Sequence, residues 1–362
     1  MLYSIPVLLQ KVVELRGSDL HITSCTPPQV RVDGELRRLD GPGCTPSETA
    51  RLAYSVLTPS QRTRFEQSHE LDFAFGIERL GRFRCNMFNQ RGSVAAVYRV
   101  IPETIRSVDE LGLPPIVAAL AERPRGLVLV TGPTGSGKST TLAAMIDKIN
   151  RERHAHILTI EDPIQFIHEH RSGLVNQREV HSDTCSFAAA LRAALRADPD
   201  VVLIGEMRDL ETVESALRIA ETGNLTFGTL HTNSAVQTIT RIVDVFPAHQ
   251  QSQIRTQLAL TLEGIVCQEL LPRTGGGRVP SLEVMIATPA IRNLIRENKL
   301  HQIHSSMQTG QEKSGMQTAN QSLSALYKNG LITLETAMVS SSNREELQGL
   351  LGRQPRRVPS RD

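Results

Sequence analysis

Hydrophobic and polar positions alternate differently in the two parts of the chain. Up to about residue 104, short amphipathic segments and alternating runs predict a small mixed α/β domain. The Asp33-Gly34 and Arg91-Gly92 pairs are typical of tight turns between strands. The predicted helices cover 5–15, 47–55 and 59–68, and the predicted strands lie within 28–37, 71–77 and 81–102.

From Leu127 onward, short continuous apolar runs alternate with segments of helical spacing. Runs of this kind suit strands that are buried on both faces of a parallel sheet, so we predict a doubly wound α/β core. The runs are 127–131, 157–160, 201–204 and 225–229, with helices over 187–196 and 211–221 between the later ones. We expect domains at 1–104 and 114–351, a proline-containing hinge at 105–113 and a disordered tail at 352–362.

The composition argues against nucleic-acid binding and against a membrane-spanning protein. The 362 residues carry 40 Lys and Arg against 38 Asp and Glu, contain no Trp and are 4% aromatic. Such a chain has neither the basic footprint nor the stacking residues of a typical nucleic-acid binder, so no nucleic-acid partner is expected. Apolar runs are shorter than the roughly 18 residues that cross a bilayer, and no signal peptide is evident, which favours a cytoplasmic location.

The segment from Gly132 to Thr140 fits the P-loop pattern, lying directly after an apolar strand and before a helical stretch. Its glycines allow backbone N–H groups to surround phosphate, Lys138 reaches the β and γ phosphates, and Ser139 ligates Mg²⁺. A chance glycine-rich turn is the competing interpretation. The predicted ATP-binding residues are Gly132, Pro133, Thr134, Gly135, Ser136, Gly137, Lys138, Ser139 and Thr140.

A second apolar strand ends in acids, in the segment from Asp200 to Asp209. In a P-loop domain we expect this strand beside the first one, where its terminal carboxylate faces Mg²⁺ and the attacking water. Glu206 is therefore the predicted catalytic base and a metal-site residue. The alternative is that these acids only cap a strand end at a solvated edge.

Two further strand ends carry candidate groups. Glu161 is predicted to polarise the water or to hold metal-bound water, whereas Asp162 also suits a turn before Pro163. His231 follows the fourth strand, where a side chain can sense a γ-phosphate or couple it to a neighbouring subunit. For a lone histidine, a core or surface position is the ordinary alternative.

Arginines crowd the last strands of the first domain. A guanidinium donated to a nucleotide neutralises charge on the transferred phosphoryl group, but solvated strand faces explain such arginines equally well. The candidates are Arg82, Arg84, Arg91 and Arg99. The remaining histidines lack the spacing of metal ligands, and we expect them to have structural or surface positions.

Taken together, these motifs resemble the secretion ATPases of type II secretion and type IV pilus systems. The likeness covers residues 3 to about 340 and is greatest to the retraction branch. The strings that carry it are the P-loop at 132–140, the acidic box around Glu161, the segments 198–209 and 228–233, and the branch-specific 17–21, 82–91, 290–297 and 305–310.

This resemblance implies a toroidal homohexamer with a PAS-like N-terminal domain and a RecA-like P-loop ATPase core. It further implies Mg²⁺-dependent ATP hydrolysis at the inner face of the cytoplasmic membrane, beneath an inner-membrane pilus platform protein, so that pilin subunits are withdrawn from the fibre. Arg84 and Arg99 resemble the family's paired phosphate-contacting arginines, and a second retraction ATPase is a conceivable partner. Gln165 and Ala197 depart from the family's usual glutamates.

Several alternatives stay open at this point. Assembly members of the family usually carry an N-terminal extension and a four-cysteine zinc module, and without these features we favour retraction. An accessory retraction paralogue with low turnover and a RecA-like DNA or protein translocase are the other candidates. Helix 290–297 is either an ordinary packed helix, with Arg292, Arg296 and Glu297 outward, or an element that converts hydrolysis into retraction. His231 and Arg241 are candidates for signalling between subunits.

Overall fold

The computed structural model of the protein describes residues 3–32, 34–101, 104–310 and 314–352. The chain divides into two compact units. The first contains Met1–Thr104 and Asp162–Ile167, and the second contains Ile105–Glu161 and His168–Asp362. Asp33 of the predicted hairpin turn, Pro102 at the end of a predicted strand and residues 353–362 of the predicted tail lie outside the described residues.

The first unit is built on a six-stranded antiparallel sheet with the order β3-β2-β1-β6-β5-β4. Its core contains Leu8, Leu20, Phe83, Met87 and Tyr98. The strands are β1 Asp19–Ile22, β2 Gln29–Val32, β3 Glu35–Arg38, β4 Glu70–Ile77, β5 Gly81–Gln90 and β6 Ser93–Ile101, and the helices are α1 Ile5–Glu14, α2 Pro46–Tyr54 and α3 Pro59–Ser68.

Local sequence explains where helices α2 and α3 begin. Each has proline in its first turn and a threonine N-cap, Thr45 or Thr58. Glu48 and Gln61 complete capping boxes with these threonines, which satisfies N–H groups that the helix itself cannot pair. The helix and strand positions predicted for this unit therefore match closely, whereas β1 is a strand that the hydrophobic pattern did not reveal.

The second unit alternates strands and helices around a seven-stranded sheet, in the mixed α/β fold that the sequence predicts. The strands are β7 Gly126–Thr131, β8 His156–Glu161, β9 Leu174–Glu179, β10 Val201–Ile204, β11 Leu225–Leu230, β12 Leu262–Pro272 and β13 Arg278–Ile286. The helices are α4 Pro115–Ala121, α5 Lys138–Glu152, α6 Phe187–Ala194, α7 Leu210–Glu221, α8 Ala235–Asp244, α9 Gln251–Thr261, α10 Pro289–Arg296, α11 Ile303–Thr309, α12 Ala319–Lys328, α13 Leu334–Ser340 and α14 Arg344–Gly352.

The strand order in this sheet is β13-β12-β7-β11-β10-β8-β9, and all neighbours are parallel except β12 and β13. The prediction that the Glu206 strand lies beside the P-loop strand is wrong, because β11 separates β10 from β7. All six residues of β11 are buried, and a strand that is buried on both faces lies in the interior of a sheet. The parallel strands nevertheless bring their carboxyl ends to one edge.

Helix α10 packs along its apolar face, as its helical spacing predicts, but one of its arginines differs from the prediction. Ile291 and Ile295 are fully buried, and Leu294 packs against the core. The expectation that Arg292 points outward is wrong, because its guanidinium donates to the carbonyls of Ala259 and Leu260 at 2.8 and 3.0 Å. A guanidinium at the end of α9 satisfies carbonyls that the helix leaves without partners. Over the described ranges, every helix is too short or too polar to cross a membrane.

Candidate active site

The P-loop joins the end of β7 to the start of α5. Gly132, Gly135 and Gly137 have φ angles of 140°, 80° and 90°, which residues with a side chain rarely adopt. A Cβ atom on Gly132 would lie 2.1 Å from the carbonyl oxygen of Gln268. Gly137 caps α5 without a side-chain bond, which leaves first-turn N–H groups for an anion. The loop therefore has the form that a phosphate cradle requires.

Lys138 places its ammonium group within this loop. Its Nζ donates to the carbonyls of Gly132 and Pro133 at 2.8 and 3.0 Å, and the residue is 9% exposed. Burial lowers the pKa of Lys138 by disfavouring the charged form, and the Glu206 carboxylate opposes this shift. Ser139, by contrast, is exposed on the first turn of α5. A cation and a hydroxyl thus lie at the start of the helix.

Glu206 and His231 meet at the carboxyl edge of the sheet, as expected for groups following β10 and β11. The Nε2 atom of His231 lies 3.1 Å from Oε1 of Glu206, which also accepts from the Arg208 guanidinium. The Glu206 side chain is 21% exposed and electrostatically linked to Lys138. The arrangement therefore places the partly solvated Glu206 carboxylate close to the P-loop and in contact with His231.

The short segment around Glu206 is fixed by the strands on both sides. The N–H of Gly205 donates to the carbonyl of Ile160 at 2.8 Å, and that of Met207 donates to the carbonyl of Thr229 at 3.0 Å. The Thr229 hydroxyl donates to the carbonyl of Gly205. These bonds attach the segment to β8 and β11. The backbone of Glu206 is therefore fixed by its neighbours Gly205 and Met207, independently of its side-chain contacts. Sequence reasoning missed Thr229.

Glu161 ends β8 in a buried position. Its Oε1 atom accepts from the hydroxyl of Thr159 at 2.8 Å and from the amide of Gln177 at 3.4 Å. A Cβ atom on Gly205 would lie 3.5 Å from Cγ of Glu161, so the acid adjoins the segment that carries Glu206. The structure therefore brings Glu161 to the same sheet edge.

Other acids near the candidate base have structural positions. Asp209 is the N-cap of α7 and accepts from the N–H of Thr212 at 2.9 Å. Asp200 lies at the opposite end of β10, where its carboxylate accepts from the N–H of His156 at 2.8 Å. Hydrogen bonds to backbone N–H groups therefore account for these two acids, whereas Glu206 has side-chain partners.

Arg84 and Arg99 belong to the first unit and lie opposite each other on β5 and β6. Directly opposed residues share one face of a sheet. Arg99 donates from Nε to the buried Asp19 carboxylate at 2.7 Å, and Arg84 lies 3.7 Å from the carboxylate of Asp72. The two arginines therefore share a face of the sheet, but their guanidinium groups contact carboxylates on different strands, β1 and β4. Their contact with phosphate stays a prediction.

Gln268 is a residue of this region that sequence reasoning missed. It lies on β12 and is 5% exposed, and its amide donates to the carbonyl of Ser136 at 2.7 Å. Its signal in the sequence is a polar residue following the apolar run 265–267. Among the described residues, no group of three or more His, Cys, Asp or Glu side chains is arranged to hold a metal ion.

Comparisons with known proteins agree with this geometry. The model of the family described as "Type II/IV secretion system protein" matches residues 3–275. The type IV pilus retraction ATPase PilT of Pseudomonas aeruginosa is 52% identical over 321 residues, which cover 89% of this chain and 93% of that protein. The type IV pilus ATPase PilU of the same organism is 42% identical over 342 residues, or 94% of this chain and 89% of PilU.

A solved structure extends the likeness to three dimensions. The crystal structure of the pilus retraction motor PilT with bound ADP superposes with a TM-score of 0.89 at 55% sequence identity. The match covers 96% of this chain and 99% of that one. The similarity therefore includes both units of the chain.

Proposed function

Because the chain belongs to the type II/IV secretion system protein family, we propose that it is a hexameric motor ATPase that couples ATP hydrolysis to type IV pilus retraction. The observation that carries this proposal is the 52% identity to the retraction ATPase PilT over 89% of the chain. The convergence of Lys138, Glu206 and His231 at one sheet edge supplies the chemistry that such a motor needs.

ATP fits the loop between β7 and α5. The left-handed glycines allow the backbone to curve, and the first turn of α5 offers N–H groups and the positive end of the helix dipole. Lys138 contributes the cation that reaches the β and γ phosphates. The exposed hydroxyl of Ser139 would hold Mg²⁺, with Glu206 and Glu161 nearby, and the metal would neutralise charge on the phosphate oxygens.

Glu206 is the residue we assign as general base. A partly solvated carboxylate can accept a proton from water and orient it, whereas the capping acid Asp209 is already committed to a helix end. Nε2 of His231 lies 3.1 Å from Oε1 of the Glu206 carboxylate, and this contact helps to fix the orientation of the carboxylate. Glu161, buried beside the same segment, polarises the attacking water.

The assembly and partners follow from the family. We assign Arg84 and Arg99 to phosphate contact within a homohexameric ring, because they resemble the family's paired arginines and lie opposite each other on one face of the sheet. The ring works on the cytoplasmic side of the inner membrane, beneath the pilus platform protein, and acts on pilin indirectly. These assignments rest on the similarity to PilT.

The test combines turnover with pilus behaviour. Purified protein with Mg²⁺ should release phosphate from ATP, and Lys138→Ala should abolish the release. In cells that lack the gene, pili should accumulate without retracting, and the wild-type gene should restore retraction whereas Lys138→Ala should not. Normal retraction in the deletion strain would contradict the proposal.

An accessory retraction paralogue is the second candidate, because a further type IV pilus ATPase, PilU, is 42% identical over 94% of the chain, so the likeness is not to PilT alone. An accessory protein of this kind acts on a partner motor and turns over ATP slowly. Low phosphate release by the purified protein, together with retraction in its absence, would favour this candidate. Stimulation of turnover by DNA would instead indicate a translocase.

A further inference from the structure

Gln268 is a buried amide in an apolar strand. It lies on β12, which pairs with the P-loop strand β7, and its preceding neighbours Val266 and Cys267 are almost fully buried. A side-chain amide in such surroundings is costly unless its polar atoms have partners. The side chain of Gln268 uses its nitrogen and its oxygen in hydrogen bonds to one region, the P-loop and the first turn of α5.

The two bonds connect β12 with consecutive parts of the nucleotide site. Nε2 of Gln268 donates to the carbonyl of Ser136 at 2.7 Å, and Oε1 accepts from the hydroxyl of Thr141 at 2.7 Å. Ser136 precedes Gly137 and Lys138 in the loop, and Thr141 completes the first turn of α5. One side chain therefore fixes both the loop and the helix that follows it.

The orientation of one peptide group gives this contact a consequence for phosphate binding. In a planar trans peptide the C=O and N–H groups point in opposite directions. Because the carbonyl of Ser136 points to Gln268, the N–H of Gly137 points away from β12. An N–H at this place in a P-loop is one of those that cradle phosphate.

The glycines of the loop fit closely around the same residue. A Cβ atom on Gly132 would lie 2.1 Å from the main-chain oxygen of Gln268, and one on Gly137 would lie 2.7 Å from its Nε2. The loop thus rests directly on Gln268, both on its backbone and on its side chain. Glycine at these positions permits the close approach that the hydrogen bond to Ser136 requires.

We propose that Gln268 is a positioning residue for nucleotide binding, which holds the Ser136–Gly137 peptide with its N–H turned toward the phosphates. This inference rests on the proposed function only in that the loop binds ATP and ADP. Both polar atoms of the Gln268 side chain bond to the loop and to the first turn of α5, so its effect is exerted through these segments.

The decisive variant is Gln268→Met, which keeps the length of the side chain and removes its amide. Gln268→Glu keeps the acceptor for Thr141 and removes the donor to Ser136, so it tests the loop contact even if the methionine variant does not fold. Thr141→Val removes only the helix contact. The matched control is Gln317→Met, because the amide of Gln317 donates to the carbonyl of Leu282 at 3.0 Å. Leu282 lies opposite Gln268 on β13, so this variant removes a nearby amide bond and keeps the bonds of Gln268 to Ser136 and Thr141.

Each protein is assayed for ADP affinity with Mg²⁺ by titration calorimetry, for kcat and KM, and for Tm without nucleotide. Loss of a buried hydrogen bond predicts that Gln268→Met and Gln268→Glu bind ADP about 10- to 100-fold more weakly, with a matching rise in KM. Thr141→Val should weaken binding less, since the bond to Ser136 remains. Gln317→Met should keep wild-type affinity.

If Gln268 had only a structural role, the Gln268 and Thr141 variants would have a lower Tm, and those that fold would keep wild-type ADP affinity. Wild-type ADP affinity in Gln268→Met or Gln268→Glu would overturn the inference while leaving the proposed function intact. Failure of the wild-type protein itself to bind ADP would overturn both. The two failures are therefore distinguishable in one series of titrations.

Discussion

Acidification should destabilise the second unit through a single histidine. His168 is 8% exposed, and within the described residues its Nδ1 atom has no hydrogen-bond partner. Burial lowers the pKa of His168 from its usual 6.5 to about 4, and the nearby Asp147 carboxylate only partly opposes this shift. The folded protein therefore keeps this ring neutral at a pH where an unfolded chain protonates it.

The sign and the size follow from the two pKa values of His168. Between pH 6.5 and 4 the unfolded state binds more protons than the folded state. The free energy of unfolding is therefore unaffected by His168 above pH 6.5 and falls as the pH drops from 6.5 to 4. One pKa unit corresponds to about 1.4 kcal/mol, which gives a loss of roughly 3 kcal/mol by pH 4 and about 2 kcal/mol at pH 5. For a unit of this size, 2 kcal/mol lowers Tm by about 4 to 8 °C.

The assay compares Tm at pH 7.5 and pH 5 for the wild type and for His168→Phe, which cannot be protonated. Acidification should lower the Tm of the variant by about 4 to 8 °C less than that of the wild type, whatever its Tm at pH 7.5. His249→Phe is the control, because His249 is exposed. Equal falls in Tm for the wild type and His168→Phe would refute the reasoning.

Three further predictions concern the site and helix α10. Glu206→Gln should lower kcat by about 10²- to 10⁴-fold and leave ADP affinity intact, and an unchanged kcat would exclude Glu206 as the base. Gly132→Ala should abolish ADP binding in calorimetry, because its Cβ would lie 2.1 Å from the carbonyl oxygen of Gln268. Arg292→Leu should lower stability by about 2 kcal/mol in urea unfolding, since the Glu263 carboxylate and the Ala259 carbonyl, both part-buried, lose a charged donor. An unchanged midpoint would contradict this.

These three variants have controls that share the substitution and lack the contact. Exposed Glu214 lies on α7, Gly223 has a φ angle of 107° with no atom near its Cβ position, and Arg296 is exposed on α10. The control variants are Glu214→Gln, Gly223→Ala and Arg296→Leu. Each should behave as the wild type in the assay used for its partner, apart from a small loss of stability from the positive φ angle at Gly223.

Sequence predicted the parts of the fold that local patterns specify. The strand over 201–204 was recognised because every residue in it is apolar and buried, and the P-loop because its residues are contiguous. Sequence also placed Glu206 and His231 each at the end of a strand, but their contact with each other was first seen in the structure. Strand β9 was missed because it lies at the sheet edge, with Leu174 exposed and its apolar residues interrupted.

The order of strands was not available from the same patterns. The insertion of β11 between β7 and β10 depends on how the chain crosses over the sheet, and hydrophobic spacing within a strand does not record this. The contact between Gln268 and Ser136 joins residues 132 positions apart, which no local motif describes. The close contacts of the site that were missed are therefore those between distant segments.

The acids around β10 show why position, and not residue type, decides function. Asp200 lies at the amino end of the strand and pairs with the backbone of His156, while Asp209 begins α7 and caps it through Thr212. Both carboxylates satisfy N–H groups that would otherwise be unpaired. Glu206 lies between them, after the strand has ended and before the helix begins. Its carboxylate accepts from the Arg208 guanidinium and lies beside His231, and neither of these partners is a backbone N–H group. Its partners are the side chains of His231 and Arg208, which leave a carboxylate at the edge of the phosphate cradle able to accept a proton.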